Sequence, residues 1–330
     1  MKKWPVPVGI VVLAIITLIP SMNALIENLT HPYIVLAKPG LVLSDTLDNE
    51  NKTKEHLLEN QVDWHYAGSA IGKKATYDLY KDRDGLHIGI RAPSNGTYAG
   101  LFAVTSGSQA TLFHALISSP VRTIPSHDYF QNGLYVQTGN GSVNYVTCVS
   151  VTSSSRTVWS IVSATGGISG ATKFRTLWTD TRPDQSLTRE CTIITNGQNY
   201  LKVYLDGVMA YSNSTLNLQM PAPFLAFLEV QSSYNGKSLY GTYKDYYATT
   251  DENVKVTTNL SNAVSVSIVN SSGRILATAP ISGGTATLDI GKYHLPLTAN
   301  IVTYNSTNAS VVSTSRPVDI YGGDLYSAGH

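Results

Sequence analysis

Apolar and polar residues alternate with a period of two along most of this chain. The clearest instance is LKVYLDGVMAYSN, residues 201–213. Leu201, Val203 and Leu205 fall at every second position and share one face of a strand, with Lys202 and Tyr204 on the other. Asp206-Gly207 accepts the positive φ angles of a two-residue hairpin, after which Val208 and Ala210 return on one face and Met209 and Tyr211 on the other. A second hairpin lies in YDLYKDRDGLHIGIRA, residues 77–92, where Leu86, Ile88 and Ile90 alternate with His87, Gly89 and Arg91 after a DRDG turn. From about 62 to 249 short runs of this kind follow one another. Turn residues part them in SNGT (94–97), GNGS (139–142), TGGISG (165–170), TNGQN (195–199) and YNGK (234–237). The spacing predicts an antiparallel, all-β sandwich or barrel.

Helical periodicity is scarce. The one fair candidate is LSDTLDNENKTKEHLLENQ, in a lead-in over residues 25–61 that reads as partly helical or flexible, with Thr46 or Asp48 as a cap. At TTDEN, residues 249–253, the texture changes again. Aromatics thin out, and VKVTTNL, AVSVSIVN, GRILATA, GTATLDI, NIVTYN and VVSTSRPVDIYG follow as short strands. Residues 250–330 suffice for a small second sandwich.

The N-terminus adds a compartment. Lys2 and Lys3 precede an apolar core from Val8 to Ile19, and Ser21 and Ala24 are small residues near a cleavage point. Residues 1–24 thus read as a secretory signal. The alternative is an uncleaved anchor, but Pro5, Pro7 and Pro20 leave fewer than the about 20 apolar residues a spanning helix needs. Membrane attachment is expected only if this segment stays uncleaved. Asn28, Asn51, Asn95, Asn140, Asn213, Asn259, Asn270, Asn305 and Asn308 each begin an N-x-S/T sequon, which suits a secreted or cell-surface glycoprotein. Cys148 and Cys191 both sit in strand-like runs. In an oxidising compartment they read as one disulfide between neighbouring strands, against two buried thiols or a reactive cysteine.

Composition excludes some partners. The 330 residues carry a net charge of +1, and 14% are charged, against roughly 25% in average domains. Without a basic patch, nucleic acid is not an expected partner. The oligomeric state is not legible.

The segments YLKVYLDGVMAYSN, PAPFLAFLEVQSS and GTYKDYYA carry a family likeness. A hairpin with Asp-Gly at its tip precedes a strand of small and apolar residues, and a last strand bears an acid, Asp245, before its aromatics. Over residues 62–249 this resembles the closing part of a concanavalin A-like jelly roll, the superfamily of legume lectins, laminin G-like domains and several glucanases. SSGRILATAPISGGTATLDI, residues 271–290, is similar to small Ig-like or transthyretin-like sandwiches.

The resemblance implies where chemistry would sit. Retaining glucanases of the superfamily carry Glu-X-Asp-X-Glu or Glu-X-Asp-X-X-Glu on one strand, placing two carboxylates on one face. No such run occurs here. The best lone carboxylate is Glu229 in FLAFLEVQ, where Leu225 and Phe227 share its strand face and could raise its pKa as a general acid needs. The alternative is a rim glutamate or one paired with Arg or Lys. Asp206 reads as a turn residue and Asp245 as a structural acid.

Asp82, Asp84 and Gly85 match part of a calcium loop, which fails where Pro93 replaces the required Glu. The eight histidines include no HExxH and no i, i+4 pair, so no metal or cofactor is expected. The resemblance leaves calcium open, since some laminin G-like domains hold it between loops.

Sugars need an aromatic face with nearby polar groups. Tyr129, Asn132 and Tyr135 around one turn, and Trp178 beside Asp180, are the candidates, against a reading of each as core or cross-strand packing. Trp64 and Trp159 read as core. The resulting expectation is a secreted or surface protein that binds a glycan or cell-surface polysaccharide without catalysis. A glucanase-like or lyase-like enzyme is the alternative, and a structural envelope or filament component the third.

Overall fold

A computed structural model describes residues 33–59, 64–68, 76–91, 97–103, 110–120, 124–139, 144–154, 156–166, 173–182 and 186–329. The signal segment at 1–24 and the sequons at Asn28, Asn95 and Asn140 lie outside these residues. Among the described residues there are 24 strands and one short helix, α1 (Lys54–Glu59). None of their helices is long and apolar enough to cross a membrane.

Two large antiparallel sheets stack face to face as a β-sandwich. The first runs in the order β11 (Lys173–Thr179), β10 (Arg156–Thr165), β9 (Tyr145–Ser153), β8 (Phe130–Thr138), β15 (Phe224–Ser232), β6 (Thr97–Ala103) and β3 (Trp64–Gly68). The second runs β14 (Val208–Asn213), β13 (Leu201–Leu205), β12 (Thr188–Thr195), β7 (Leu112–Ser118), β16 (Leu239–Thr249), β5 (Gly85–Arg91) and β4 (Thr76–Asp82). The side chains between them form one core. It holds Leu86, Ile88 and Ile90 of β5, Leu201, Val203 and Leu205 of β13, and Ala226, Leu228 and Val230 of β15, each at every second position of its strand. Trp159 is fully buried there, its indole N–H donating to the Ser186 carbonyl at 2.7 Å.

Both hairpins form where the pattern places them. Asp206 and Gly207 adopt φ of 52° and 71°, and β13 pairs β14 around them. Gly85 turns the other hairpin at φ 121°, while Asp82 accepts the Asp84 N–H at 2.8 Å and meets His87 Nε2 at 2.9 Å. The Asp82 side chain thus closes the hairpin turn. Cys148 on β9 and Cys191 on β12 join the facing sheets in a disulfide, with Cα atoms 6.5 Å apart. The two strands lie in different sheets and face one another across the core.

Two smaller sheets complete the chain. One is ordered β1 (Ile34–Lys38), β24 (Leu325–Ala328), β17 (Asn253–Thr258), β20 (Thr285–Asp289). The other contains β19 (Ile275–Pro280), β18 (Ser265–Val269), β21 (Leu297–Tyr304) and β22 (Ser310–Ser313), with β23 (Val318–Ile320) on β21. Their core includes Val254, Val256, Ile268 and Ile301, and also Leu112, Ile194, Tyr204 and Tyr247 from the outer face of the β7-containing sheet. The small sandwich thus packs on the large one through a continuous apolar seam. The lead-in region contributes to both: β1 pairs β24, and β2 (Leu41–Asp45) pairs β16. Besides the helix, then, it holds two strands that the sequence pattern did not mark.

Candidate functional site

The outer face of the β8-containing sheet carries the one carboxyl whose chemistry stands apart. Alternation on β15 sends Phe224, Ala226, Leu228 and Val230 into the core and Leu225, Phe227, Glu229 and Gln231 outward. Glu229 pairs in register with Gly133 on β8 and Gly100 on β6. Neither neighbouring strand therefore sets a side chain directly against it. Its surroundings come from diagonal positions: Gln131 and Tyr135 on β8, Phe227 and Gln231 on β15, and Val149 beyond Gly133 on β9. Tyr135, Val149 and Phe227 are buried in an apolar patch, flanked by Tyr145, Val162 and Leu225.

That environment sets the protonation state. Glu229 is partly exposed; its backbone carbonyl accepts from the Tyr243 hydroxyl at 2.6 Å, but its carboxyl makes no hydrogen bond or ion pair with a described residue, and burial alone pushes that carboxyl up to about 8. At neutral pH it holds its proton. Its electrostatic effect reaches the neighbouring phenols. Burial first, and then the Glu229 charge, raises Tyr145 to about 12 and Tyr135 well above its ordinary value. Gln131 bridges Gln231 and the Tyr135 hydroxyl, donating to the latter at 3.2 Å. At the edge of the same face Phe174 on β11 is 67% exposed, its ring 6.5 Å from that of Tyr145. The face thus combines a proton-bearing carboxyl, two amide side chains and an open aromatic edge. Glu229 is the only carboxylic acid on this face among the described residues of β8, β9, β10, β11 and β15.

Of the other sequence candidates only Tyr135 shares the face of Glu229. Asn132 points into the core, where its amide donates to the Ser118 carbonyl at 2.9 Å and accepts from Ser119 and Ser150. Tyr135 lies on the outer face but is only 5% exposed. Tyr129 sits at the turn before β8, its backbone N–H bonded to Ser233 Oγ at 3.0 Å. Trp178 is carried to the inner side by a bulge: Ile161 pairs Trp178 while Val162 pairs Thr176, so Leu177 is the extra residue. Trp178 then packs on the core edge and lines a cleft of about 520 Å³ with Asp180, Arg182 and Arg189. Asp180 is committed to ion pairs with Arg182 and with buried Arg189, the latter at 3.1 Å. The five residues form no single site. Phe174 was missed by the sequence pattern, although its parity with Thr176 marks the same face.

The sequons at Asn51, Asn213, Asn259, Asn270, Asn305 and Asn308 lie at exposed or partly exposed positions. Asn213, Asn270 and Asn305 each use the side-chain oxygen to close their own turn, accepting from Thr215, Arg274 and Ala309 N–H groups respectively.

No protein-family model matches the chain. No curated protein matches it either. Among solved structures it is similar to LamA from Z. galactanivorans in complex with laminaritriose and laminaritetraose, at 13% identity and a TM-score of 0.45, covering 65% of this chain and 100% of that one. It is similar to a glycoside hydrolase family 16 endo-glucanase from Bacteroides ovatus, at 9% identity and a TM-score of 0.45, covering 63% and 100%. A non-specific endo-beta-1,3(4)-glucanase of the same family, SCLam, gives 12% identity and a TM-score of 0.40, covering 66% and 96%. Scores this low leave activity to be argued from the residues. The expectation of a glycan binder without catalysis is nevertheless corrected. Asn132, Tyr135 and Asp180 are buried and cannot form the binding platform expected of them.

Proposed function

We propose that the large sandwich cleaves a polysaccharide, in the manner of a glycoside hydrolase, with Glu229 as the proton donor. One observation carries this reading: a carboxyl that keeps its proton to about pH 8 stands unpaired on a partly open sheet face. Burying a carboxylic acid without a partner costs stability and does nothing for packing that Gln or Leu would not do better. Such groups are characteristic of acid catalysts.

Glu229 passes its proton to the bridging oxygen as the bond from that oxygen to the anomeric carbon breaks. Water adds to the carbon, and the proton it releases restores the acid. Gln131 and Gln231 are placed to take sugar hydroxyls, and Tyr145 with Phe174 offers a stacking edge for a pyranose ring. The substrate is a neutral or weakly charged glycan: besides Glu229, Arg156 at the end of β10 is the one charged side chain on this face among the described residues of β8, β9, β10, β11 and β15. The basic, apolar N-terminus and the sequons support export, so the glycan is extracellular or part of a cell surface.

The test is release of reducing ends from a panel of soluble polysaccharides. Activity is expected from the wild type and lost by at least about a hundredfold in Glu229→Gln. Equal activity in the variant would remove Glu229 from the chemistry.

A further inference from the structure

We propose that His114, Glu190 and His294 form a divalent transition-metal site, of the zinc class, that clamps the small sandwich to the large one. The three side chains offer one ligand atom each, and these atoms all lie within 4.8 Å of one another. They come from three distant parts of the chain. His114 is on β7 and Glu190 on β12, both on the face that meets the small sandwich, and His294 is on the connection between β20 and β21. No sequence spacing announces them.

The second observation is an orphaned atom. His114 is 1% exposed, and its Nε2 has no hydrogen-bond partner. A buried ring nitrogen left bare is costly and uncommon. Its other nitrogen is held as a metal-bound histidine's is. His114 Nδ1 lies 2.8 Å from Thr192 Oγ1, and Thr192 in turn hydrogen-bonds the Tyr247 hydroxyl oxygen. If Thr192 donates to Tyr247, it accepts from His114 Nδ1–H, and Nε2 is left as a lone pair. This matches the usual outer-sphere support of a histidine ligand, in which the second N–H is spent on an oxygen. Tyr247 stacks on the His114 ring with centroids 4.4 Å apart and fixes its orientation.

The remaining two ligands are set to close on it. His294 Nδ1 and Glu190 Oε1 are 3.5 Å apart, near the roughly 3.3 Å edge of a tetrahedron with bonds of about 2.0 Å. The His294 and His114 rings meet edge to face, centroids 5.1 Å apart. The neighbouring Leu295 N–H donates to the Tyr247 hydroxyl oxygen at 3.2 Å, so the loop bearing His294 is pinned beside the other ligands. Glu190 and His294 are about two-fifths exposed, which gives an ion access and lets both side chains make the last adjustment. Two imidazoles and one carboxylate suit Zn²⁺ and its neighbours in the transition series, and not Ca²⁺ or Mg²⁺, which take all-oxygen sets. A water completes a four-coordinate ion.

The experiment uses the full mature chain without a histidine tag, stripped with EDTA and dialysed. Zn²⁺ alone is titrated by calorimetry, and the melting temperature is followed with Zn²⁺, with Mg²⁺ and with EDTA. One Zn²⁺ per chain, a raised melting temperature with Zn²⁺ and none with Mg²⁺ are expected. His294→Ala and Glu190→Gln, both at partly exposed positions that leave the core intact, should each weaken Zn²⁺ binding by at least about tenfold. Absence of stoichiometric binding in the wild type would overturn the proposal. So would undiminished binding in both variants, since the ion would then sit elsewhere.

Discussion

Replacing Glu229 with Gln should make the protein more stable at alkaline pH and leave it nearly unchanged at acid pH. Folding raises this carboxyl from an ordinary 4.5 to about 8, through burial. Between those values the folded chain holds the proton and the unfolded chain does not. The folded state binds more protons, so wild-type stability falls as pH rises through the window. At about 1.4 kcal/mol per pH unit, the rise from 4.5 to about 8 sets a ceiling of about 5 kcal/mol. Water reaches part of the carboxyl, which trims this to about 2–4 kcal/mol. Glutamine is neutral throughout and similar in shape, so the variant lacks the decline. Urea midpoints for both proteins at pH 4.5, 6, 7 and 8.5 give the difference directly, and every other titrating group cancels. The variant's advantage should grow from near zero at pH 4.5 to about 2–4 kcal/mol at pH 8.5. A difference that is constant with pH, or one favouring the wild type as pH rises, would refute the assignment of a buried, unpaired acid.

Other consequences concern the frame around the site. Asp180→Ala strips buried Arg189 of its 3.1 Å partner and leaves only Asp206 at 3.4 Å, at a cost of about 3 kcal/mol in chemical denaturation, whereas Arg182→Ala, at an exposed side chain, should cost under about 1 kcal/mol. Replacing Cys148 and Cys191 together by Ala opens a loop of 43 residues and should remove roughly 4 kcal/mol, read as a lower midpoint in urea. At the seam between the sandwiches, Glu252 accepts the Tyr200 hydroxyl at 2.7 Å and pairs with Lys202 at 2.5 Å. Glu252→Gln should therefore lower the melting temperature by an amount equivalent to about 1–3 kcal/mol. In each case equality with the wild type would mean that the contact contributes nothing.

Local patterns in this chain were readable and non-local ones were not. The hairpin at 201–213 follows from a period of two and an Asp-Gly tip, and both are properties of adjacent residues. β1 and β2 are as apolar as many strands, yet which sheet each joins depends on partners such as Ala328 and Tyr246, far along the chain. Glu229 could be singled out from FLAFLEVQ because its apolar neighbours are adjacent in sequence. The glycines that face it across β8 and β6 could not, because register is a tertiary property. Trp178 illustrates the limit of alternation. A single bulged residue on β11 moves it to the opposite face from the one its spacing with Phe174 indicates. The His114, Glu190 and His294 cluster has no spacing at all, since it exists only once two sandwiches dock. A reading of the histidines by motif alone therefore expected no metal.

The most direct test is the pH dependence of reducing-end release by the wild type beside Glu229→Gln. If Glu229 is the proton donor, wild-type activity on a soluble polysaccharide is sustained at neutral pH and falls as the pH passes about 8, where the acid loses its proton, and the variant is inactive across the range. Activity that persists unchanged above pH 9, or a variant that cleaves as fast as the wild type, would contradict acid catalysis on this sheet face.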